Sequence, residues 1–491
     1  MCNLKLITIV VVLGGLLGGC AARVPYRDAG FSEMQGCDRQ LYSKYSQGKR
    51  VAMADEDARA ECWKRSIEEH TNYDLLFVEF DDQGWVQKSA GLKRPGRDHL
   101  DDFFDRLDAL RQLHKNSGLN VVVFVHGWHH NAGANDSNVR SFRRYLDDIA
   151  IAERKAQADA ARRVVGVYVG WRGESITIPG VNMLTFWERK NTAERVAQGS
   201  VREFFSRLDM FRDRVNPDPG QAGAKARQAV RLVVIGHSFG GLIVYESLSS
   251  DFLRASARHD GEASPGKCQR KFLTRFGDLV IIVNPAFEGI RYEPLKVAGE
   301  RLKCLDGDQL PVVITVTSTA DWATKHAFPA ARFVNTLFED TPGNQQTANV
   351  QTVGHNERYT THQLGKCRKQ DADCYDACRA IPPEPDSKKA EQIAEQTTSV
   401  GERNEQISIE LSYAMSARWR QRREGSAKPT EYFCGGLWLT DTDSRFPPAN
   451  PFWVVQTSKD IIRDHNDIFN DRFTAFMRQM YLRIAISKDI E

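Results

Sequence analysis

Leu232-Val233-Val234-Ile235-Gly236-His237-Ser238-Phe239-Gly240-Gly241 decides the fold. Its four leading apolar residues read as a strand buried on both faces, the kind found in parallel sheets. A G-x-S-x-G turn follows at once, and residues 242–248 continue as an apolar helical stretch. Gly236 and Gly240 bring no side chains into this tight strand-to-helix turn. Ser238 can therefore sit on it with Oγ exposed at the carboxyl edge of a sheet. Ser238 is the candidate nucleophile, with His237 shaping the elbow beside it. A structural serine in a glycine turn is the plainer alternative.

Outward from this stretch the pattern alternates. Residues 75–80, 121–125, 164–169, 279–283, 312–316 and 452–455 read as strands. Between them lie helical stretches near residues 100–113, 139–151 and 192–212. A last helix carries Ile468, Phe469, Phe473, Phe476, Met477 and Met480 on one face. Strands separated by helices predict the α/β class: a doubly wound, mostly parallel sheet. The pattern breaks after Phe338, and residues about 340–430 read as an insertion or lid. The main domain is expected over residues 71–491, behind a polar tether over 20–70 with a helical stretch near 55–69.

Composition bounds the function. The 491 residues are 41% hydrophobic and 10% aromatic, enough for a large core and against disorder as the main state. Length alone suggests about three domains, but the motif positions reduce that to one enlarged unit. A net charge of +3 is too balanced for a dedicated polyanion binder, so nucleic acid is excluded as the expected partner.

The first residues have a composition of their own. Lys5 precedes an uncharged apolar run over residues 6–17, then Gly18-Gly19-Cys20. That is the pattern of a secretory signal over residues 1–19, too short for a spanning helix, which needs about 20 apolar residues. Leu17-Gly18-Gly19-Cys20 resembles a bacterial lipobox, which implies lipidation of Cys20 and membrane attachment. Ala21 in place of Asp implies the outer membrane, facing the periplasm. A plain signal cut near Ala22 is the alternative.

Eight cysteines remain besides Cys2 and Cys20, an even number suited to disulfides in an oxidising compartment. Cys37 with Cys62 and Cys268 with Cys304 are the expected pairs among the 105 pairings possible. A zinc reading of Cys367, Cys374 and Cys378 lacks a CxxC pair and comes second. Residues 261–268 imitate a phosphate-binding loop, but Cys268 replaces the required Ser/Thr and no apolar strand precedes them.

Acyl transfer also needs donors for a developing oxyanion. Residues 121–125 run into His126-Gly127-Trp128, a second glycine turn at a strand edge. An HG turn after an early strand and a GHSFGG elbow later in the chain resemble the α/β-hydrolase superfamily of esterases and lipases. Val169-Gly170-Trp171-Arg172-Gly173 and Thr319-Ala320-Asp321-Trp322-Ala323 resemble a poorly characterised bacterial subgroup of it. The resemblance spans about residues 70–340 and 435–491 and leaves the insertion unexplained. It implies the backbone amides of Trp128 and Phe239 as the oxyanion hole, with His126 and Gly127 shaping the turn. His126, His129 and His130 also invite a metal reading, but no carboxylate or cysteine cluster accompanies them in sequence.

Ser238 needs a base and a carboxylate, expected in the chain order Ser, acid, His. Asp321 follows a late strand and is the expected acid, with Glu288 as runner-up. His465 lies between the final strand and the final helix, where the resemblance places the base; His355 is next, ahead of His362, and His326 follows the acid too closely. The expected function is a lipid-anchored serine hydrolase cleaving a small acyl ester or a lipid, with no metal or organic cofactor. Thioester or amide cleavage, or a non-enzymatic lipoprotein using the scaffold to bind a partner, are the alternatives.

Overall fold

The computed structural model describes residues 25–27, 64–88, 98–173, 182–216, 228–262, 272–273, 276–306, 309–336, 339–343, 345–368, 400–415, 430–442, 447 and 449–489. Eleven strands form one sheet: β1 (Ile67–Glu69), β2 (Tyr73–Glu79), β3 (Leu119–Val125), β4 (Arg163–Gly170), β5 (Val230–His237), β6 (Leu279–Val283), β7 (Val313–Ser318), β8 (His362–Lys366), β9 (Thr430–Phe433), β10 (Leu437–Asp441) and β11 (Phe452–Thr457). Their order is β1-β2-β4-β3-β5-β6-β7-β11-β8-β10-β9. Every pairing from β2 across to β8 is parallel, while β1, β10 and β9 attach antiparallel at the two ends.

Successive residues of the central strands serve two different cores. Val121, Val123 and Val125 of β3 point into one, Val122 and Phe124 into the other. This is why those strands read as unbroken apolar runs. The first face is covered by α1 (His99–Leu113), which buries Phe103 and Leu107. The second is covered by α2 (Ser137–Gln157), which buries Phe142 and Ile149. Then come α3 (Asn182–Gln198) and α4 (Val201–Val215) on the first face, where Val196 and Phe204 are buried. The same core receives α5 (Phe239–Glu262) and α6 (Gly289–Arg301), through Leu242 and Tyr292. Two short helices follow, α7 (Phe328–Asn335) and α8 (Gln346–Val350). The second face is completed by α9 (Val400–Met415) and α10 (Asp471–Asp489), which bury Ile407 and Phe473. The protein is thus α/β, with helices on both sides of a mostly parallel sheet.

Several details differ from the sequence expectation. Residues 192–212 do not form one helix. The chain breaks at Gly199-Ser200, where Ser200 N–H donates to Gly84 O at 2.8 Å. A Cβ on Gly199 would lie 2.3 Å from that same oxygen. The region 340–430 is no simple excursion, because β8 lies within it and pairs in parallel with β11, while α9 covers the second face. Ile67–Glu69 is a strand, not the end of a helix, and residues 55–63 lie outside the described residues. Cys304, Cys367 and Cys434 are disulfide-bonded, which removes Cys367 from any zinc set. Cys20, Cys37, Cys62, Cys268, Cys374 and Cys378 lie outside the described residues, as does the signal segment. Among the described residues no helix is long and apolar enough to cross a membrane.

Candidate active site

Five parallel strands deliver the site at their carboxyl ends, where open α/β sheets generally bind ligands. Ser238 stands directly after β5, and its φ of 55° is left-handed, an uncommon state for a residue with a side chain. The surroundings hold it there. Ser238 N–H donates to Val283 O at 3.0 Å, and Ser238 O accepts from Leu242 N–H and Ala286 N–H, both at 3.2 Å. Gly240 has to be glycine, since a Cβ there would fall 2.1 Å from Val125 O. A Cβ on Gly236 would crowd Gly240 O and Gly241 Cα at 2.9 Å.

Asp321 and His465 converge on this serine. Ser238 O–H donates to His465 Nε2 at 2.8 Å, and His465 Nδ1–H donates to Asp321 Oδ2 at 2.7 Å. Asp321 is fully buried. Burial raises its pKa, but the bond and charge of His465 and two bonds from Thr324 outweigh that and hold it below the ordinary carboxylate value. Thr324 Oγ–H donates to Asp321 Oδ2 at 2.6 Å, and Thr324 N–H donates to Oδ1 at 3.2 Å. The site therefore contains a serine with a partnered histidine, oriented by a buried, ionised carboxylate.

The competing residues have other occupations. His355 Nε2 lies 3.0 Å from Thr324 Oγ1. Since that hydroxyl gives its proton to Asp321, His355 is the donor, and it reaches the acid only through Thr324. Burial pushes the His355 pKa down to about 4 despite the nearby Asp321. Glu288 is buried in an ion cluster with Lys190 at 3.0 Å, Arg291 at 2.7 Å and Arg332 at 3.0 Å. Burial raises its pKa, but these three cations outweigh it and hold Glu288 at about 2. Its role is to tie together α3, α6 and α7. His362 lies on β8, with its ring 4.3 Å from that of Trp453. The ring of His326 faces Trp322.

The glycine turn after β3 lies against Ser238. A Cβ on Gly127 would come within 2.9 Å of Ser238 Cβ and of His237 Nδ1. His126 is buried and holds this turn with both ring nitrogens. Trp171 N–H donates to its Nε2 at 3.1 Å, so Nδ1 carries the proton and donates to Gly127 O at 2.9 Å. Trp171 Nε1–H returns a bond to His126 O at 2.8 Å. Burial pulls the His126 pKa down to about 4, which keeps the ring neutral. His129 N–H donates to Gly173 O, and the His130 ring bonds Asp136, the cap of α2. The three histidines of this loop therefore serve separate partners, and among the described residues no group of three His, Cys, Asp or Glu could hold a metal ion.

Phe239 opens α5, so its N–H falls in a first helical turn without an intrahelical acceptor. Its ring lies 5.3 Å from Phe186, which also meets Trp128 at 5.8 Å and Phe328 at 5.9 Å. An aromatic wall thus stands beside the serine.

Two supporting residues, Asn284 and Ser318, escaped the sequence reading, and His237, expected only to shape the elbow, joins them. Asn284, after β6, has φ 45°; its side chain donates to His465 O at 3.0 Å and accepts from Ser318 N–H at 2.9 Å. His237 Nε2–H donates to His465 O at 2.9 Å, and Ser318 Oγ–H donates to Ile462 O at 2.7 Å. Together they fix the loop that carries His465. The Asn284-Pro285 pair was the available signal, because Asn tolerates the left-handed region better than most residues. No family model, curated protein or solved structure matches this chain in comparisons with known proteins.

Proposed function

We propose that the protein is a serine hydrolase of the α/β-hydrolase type that cleaves carboxylic esters through an acyl-enzyme. The observation that carries this reading is the continuous chain from Ser238 Oγ to His465 to Asp321, at 2.8 and 2.7 Å. His465 Nε2 takes the proton as Ser238 Oγ bonds to the acyl carbon. The same nitrogen returns that proton to the leaving alkoxide as the tetrahedral intermediate collapses. Water, deprotonated by His465, then releases the acid and restores the serine. Asp321 keeps Nδ1 protonated and stabilises the imidazolium formed in each half-reaction.

The amides of Trp128 and Phe239 are the oxyanion donors in this scheme. Gly127 supports the assignment, because only a residue without Cβ lets that turn approach Ser238 so closely. The aromatic wall of Trp128, Phe186 and Phe239 suits an apolar acyl group. Lipidation of Cys20 would hold the enzyme on a bacterial membrane, facing the periplasm. The scheme needs neither metal nor organic cofactor. Hydrolysis of a series of p-nitrophenyl esters tests it. Turnover that falls to background in Ser238→Ala is expected; equal turnover by that variant would overturn the reading.

A further inference from the structure

We propose that the sheet edge bearing Ser238 is the face that lies on the bilayer, and that the substrate is an acyl ester resident in that bilayer. This rests on the serine-hydrolase reading and on lipidation of Cys20. The first observation is where the anchored end of the chain enters the fold. Arg27 is fully buried. Its Nε donates to Ala132 O at 2.6 Å, one η nitrogen donates to Glu68 at 2.9 Å, and the guanidinium lies 3.7 Å over the Phe77 ring. The amides of Tyr26 and Arg27 donate to the two oxygens of Glu79, at 3.1 and 2.7 Å. Glu79 is the last residue of β2, and Ala132 lies in the loop that begins with the His126-Gly127-Trp128 turn. The chain is therefore clamped onto the same edge of the sheet that carries the nucleophile.

The second observation is how little chain separates that clamp from Cys20. Five residue steps lead from Cys20 to Pro25, a reach of at most about 18 Å even when fully extended. The ends of β2 and β5 are three strand spacings apart in the sheet order, about 14 Å. A lipidated Cys20 thus stays within roughly 35 Å of Ser238. A compact chain of this size is about 60 Å across, so the tether is too short for the opposite edge to rest on the membrane.

The third observation, Tyr26 apart, is independent of the tether. Trp85 is 70% exposed, Trp322 68%, Phe333 56% and Tyr26 42%, whereas the exposed Leu113, Met210 and Phe272 lie on segments leading into the amino ends of β3, β5 and β6. Trp85 follows the carboxyl end of β2, whereas Trp322 and Phe333 follow that of β7; Tyr26 belongs to the clamp. Trp322 adjoins Asp321 in the chain, so it stands at the rim of the site. Exposed aromatic side chains, tryptophan and tyrosine above all, favour the membrane–water interface. With the aromatic wall inside the site, they offer an acyl chain an apolar path from the bilayer to Ser238.

The test compares the lipidated full chain with Cys20→Ser on a fluorogenic phospholipid ester in phosphatidylethanolamine–phosphatidylglycerol vesicles, and on a soluble p-nitrophenyl butyrate control. Both forms should cleave the soluble ester equally, while the lipidated form cleaves the vesicle ester on the order of a hundredfold faster. Inserting twenty Gly/Ser residues between Ala22 and Arg23 should lower only the vesicle rate, by about tenfold, as effective concentration falls with tether length. Cleavage of the soluble ester with no vesicle advantage for the lipidated form would overturn this proposal and leave the hydrolase reading standing. No cleavage of either substrate by the wild type would sink both. An activity-free arm measures tryptophan quenching by brominated phospholipids in the same vesicles. Quenching that drops in the Trp85→Phe, Trp322→Phe double variant supports the orientation, and quenching unchanged by it contradicts the orientation.

Discussion

Replacing Asp321 by Asn keeps the shape of the acid and removes its charge, and the structure says what the amide must then face. Asp321 Oδ2 accepts from His465 Nδ1–H at 2.7 Å and from Thr324 Oγ–H at 2.6 Å, while Oδ1 accepts from Thr324 N–H at 3.2 Å. All the partners are donors, and Asn has only one oxygen to offer them. With that oxygen at Oδ1, the NH₂ faces His465 Nδ1, which must become the acceptor. Nε2 then carries the proton and no longer accepts from Ser238. With the oxygen at Oδ2, the NH₂ opposes the amide of Thr324, leaving a buried donor unpaired at a cost of about 1–3 kcal/mol. In both arrangements the imidazolium formed during acylation has lost its carboxylate. A charge-assisted bond contributes about 1.5–3 kcal/mol. With the tautomer penalty added, the barrier rises by about 4–5 kcal/mol, or three to four decades in kcat. The assay is p-nitrophenyl butyrate turnover at pH 7.5, with circular dichroism to show that the variant is folded. A folded Asp321→Asn enzyme that keeps more than a tenth of the wild-type kcat would refute this account of the acid.

Other outcomes follow from the same geometry. His465→Ala should abolish turnover, whereas His355→Ala, one hydrogen bond removed from the acid, should cost less than about tenfold; the reverse ranking would exchange their roles. Gly127→Ala pushes a Cβ to within 2.9 Å of Ser238 Cβ. It should cost about 1–3 kcal/mol of stability by overpacking, read from urea unfolding, and should lower kcat; a variant with unchanged kcat would remove the turn from the site. Stability should also fall with acid in two stages. The unfolded state takes up protons on its histidines below pH 6.5, whereas folded His126 does so only near 4. Its contribution of about 3 kcal/mol is thus complete above 6.5 and lost as pH falls towards 4. Glu288, held at about 2 against an unfolded value of 4.5, withdraws its contribution at lower pH, between those values. Unfolding midpoints at several pH values check this, and a flat profile from pH 7 to 4 would contradict it.

The readable parts of the sequence were those whose physics is local. β6 and residues 232–235 of β5 announced themselves because both faces are buried, so every position in those runs is apolar. His465 and Asp321 were accessible because the motif order places them after the strands that carry them. β8 was not, since His362-Gln363-Leu364-Gly365-Lys366 contains one buried apolar residue and is placed by its pairing with β11 and β10. The break between α3 and α4 comes from contact with Gly84, far away in sequence. Thr324 and Asn284 act through partners that only the folded chain brings near. Arg27 is the extreme case, a charged residue in a polar stretch that is fully buried against Glu68, Ala132 and Phe77.

The central claim is that Ser238 is a nucleophile made reactive by His465. A fluorophosphonate probe tests it most directly, with peptide mapping of the labelled protein by mass spectrometry. The account predicts a single adduct on the peptide containing Ser238, lost in Ser238→Ala and slowed by orders of magnitude in folded His465→Ala. Folded wild-type protein that takes no label, or takes it at another residue, would contradict it.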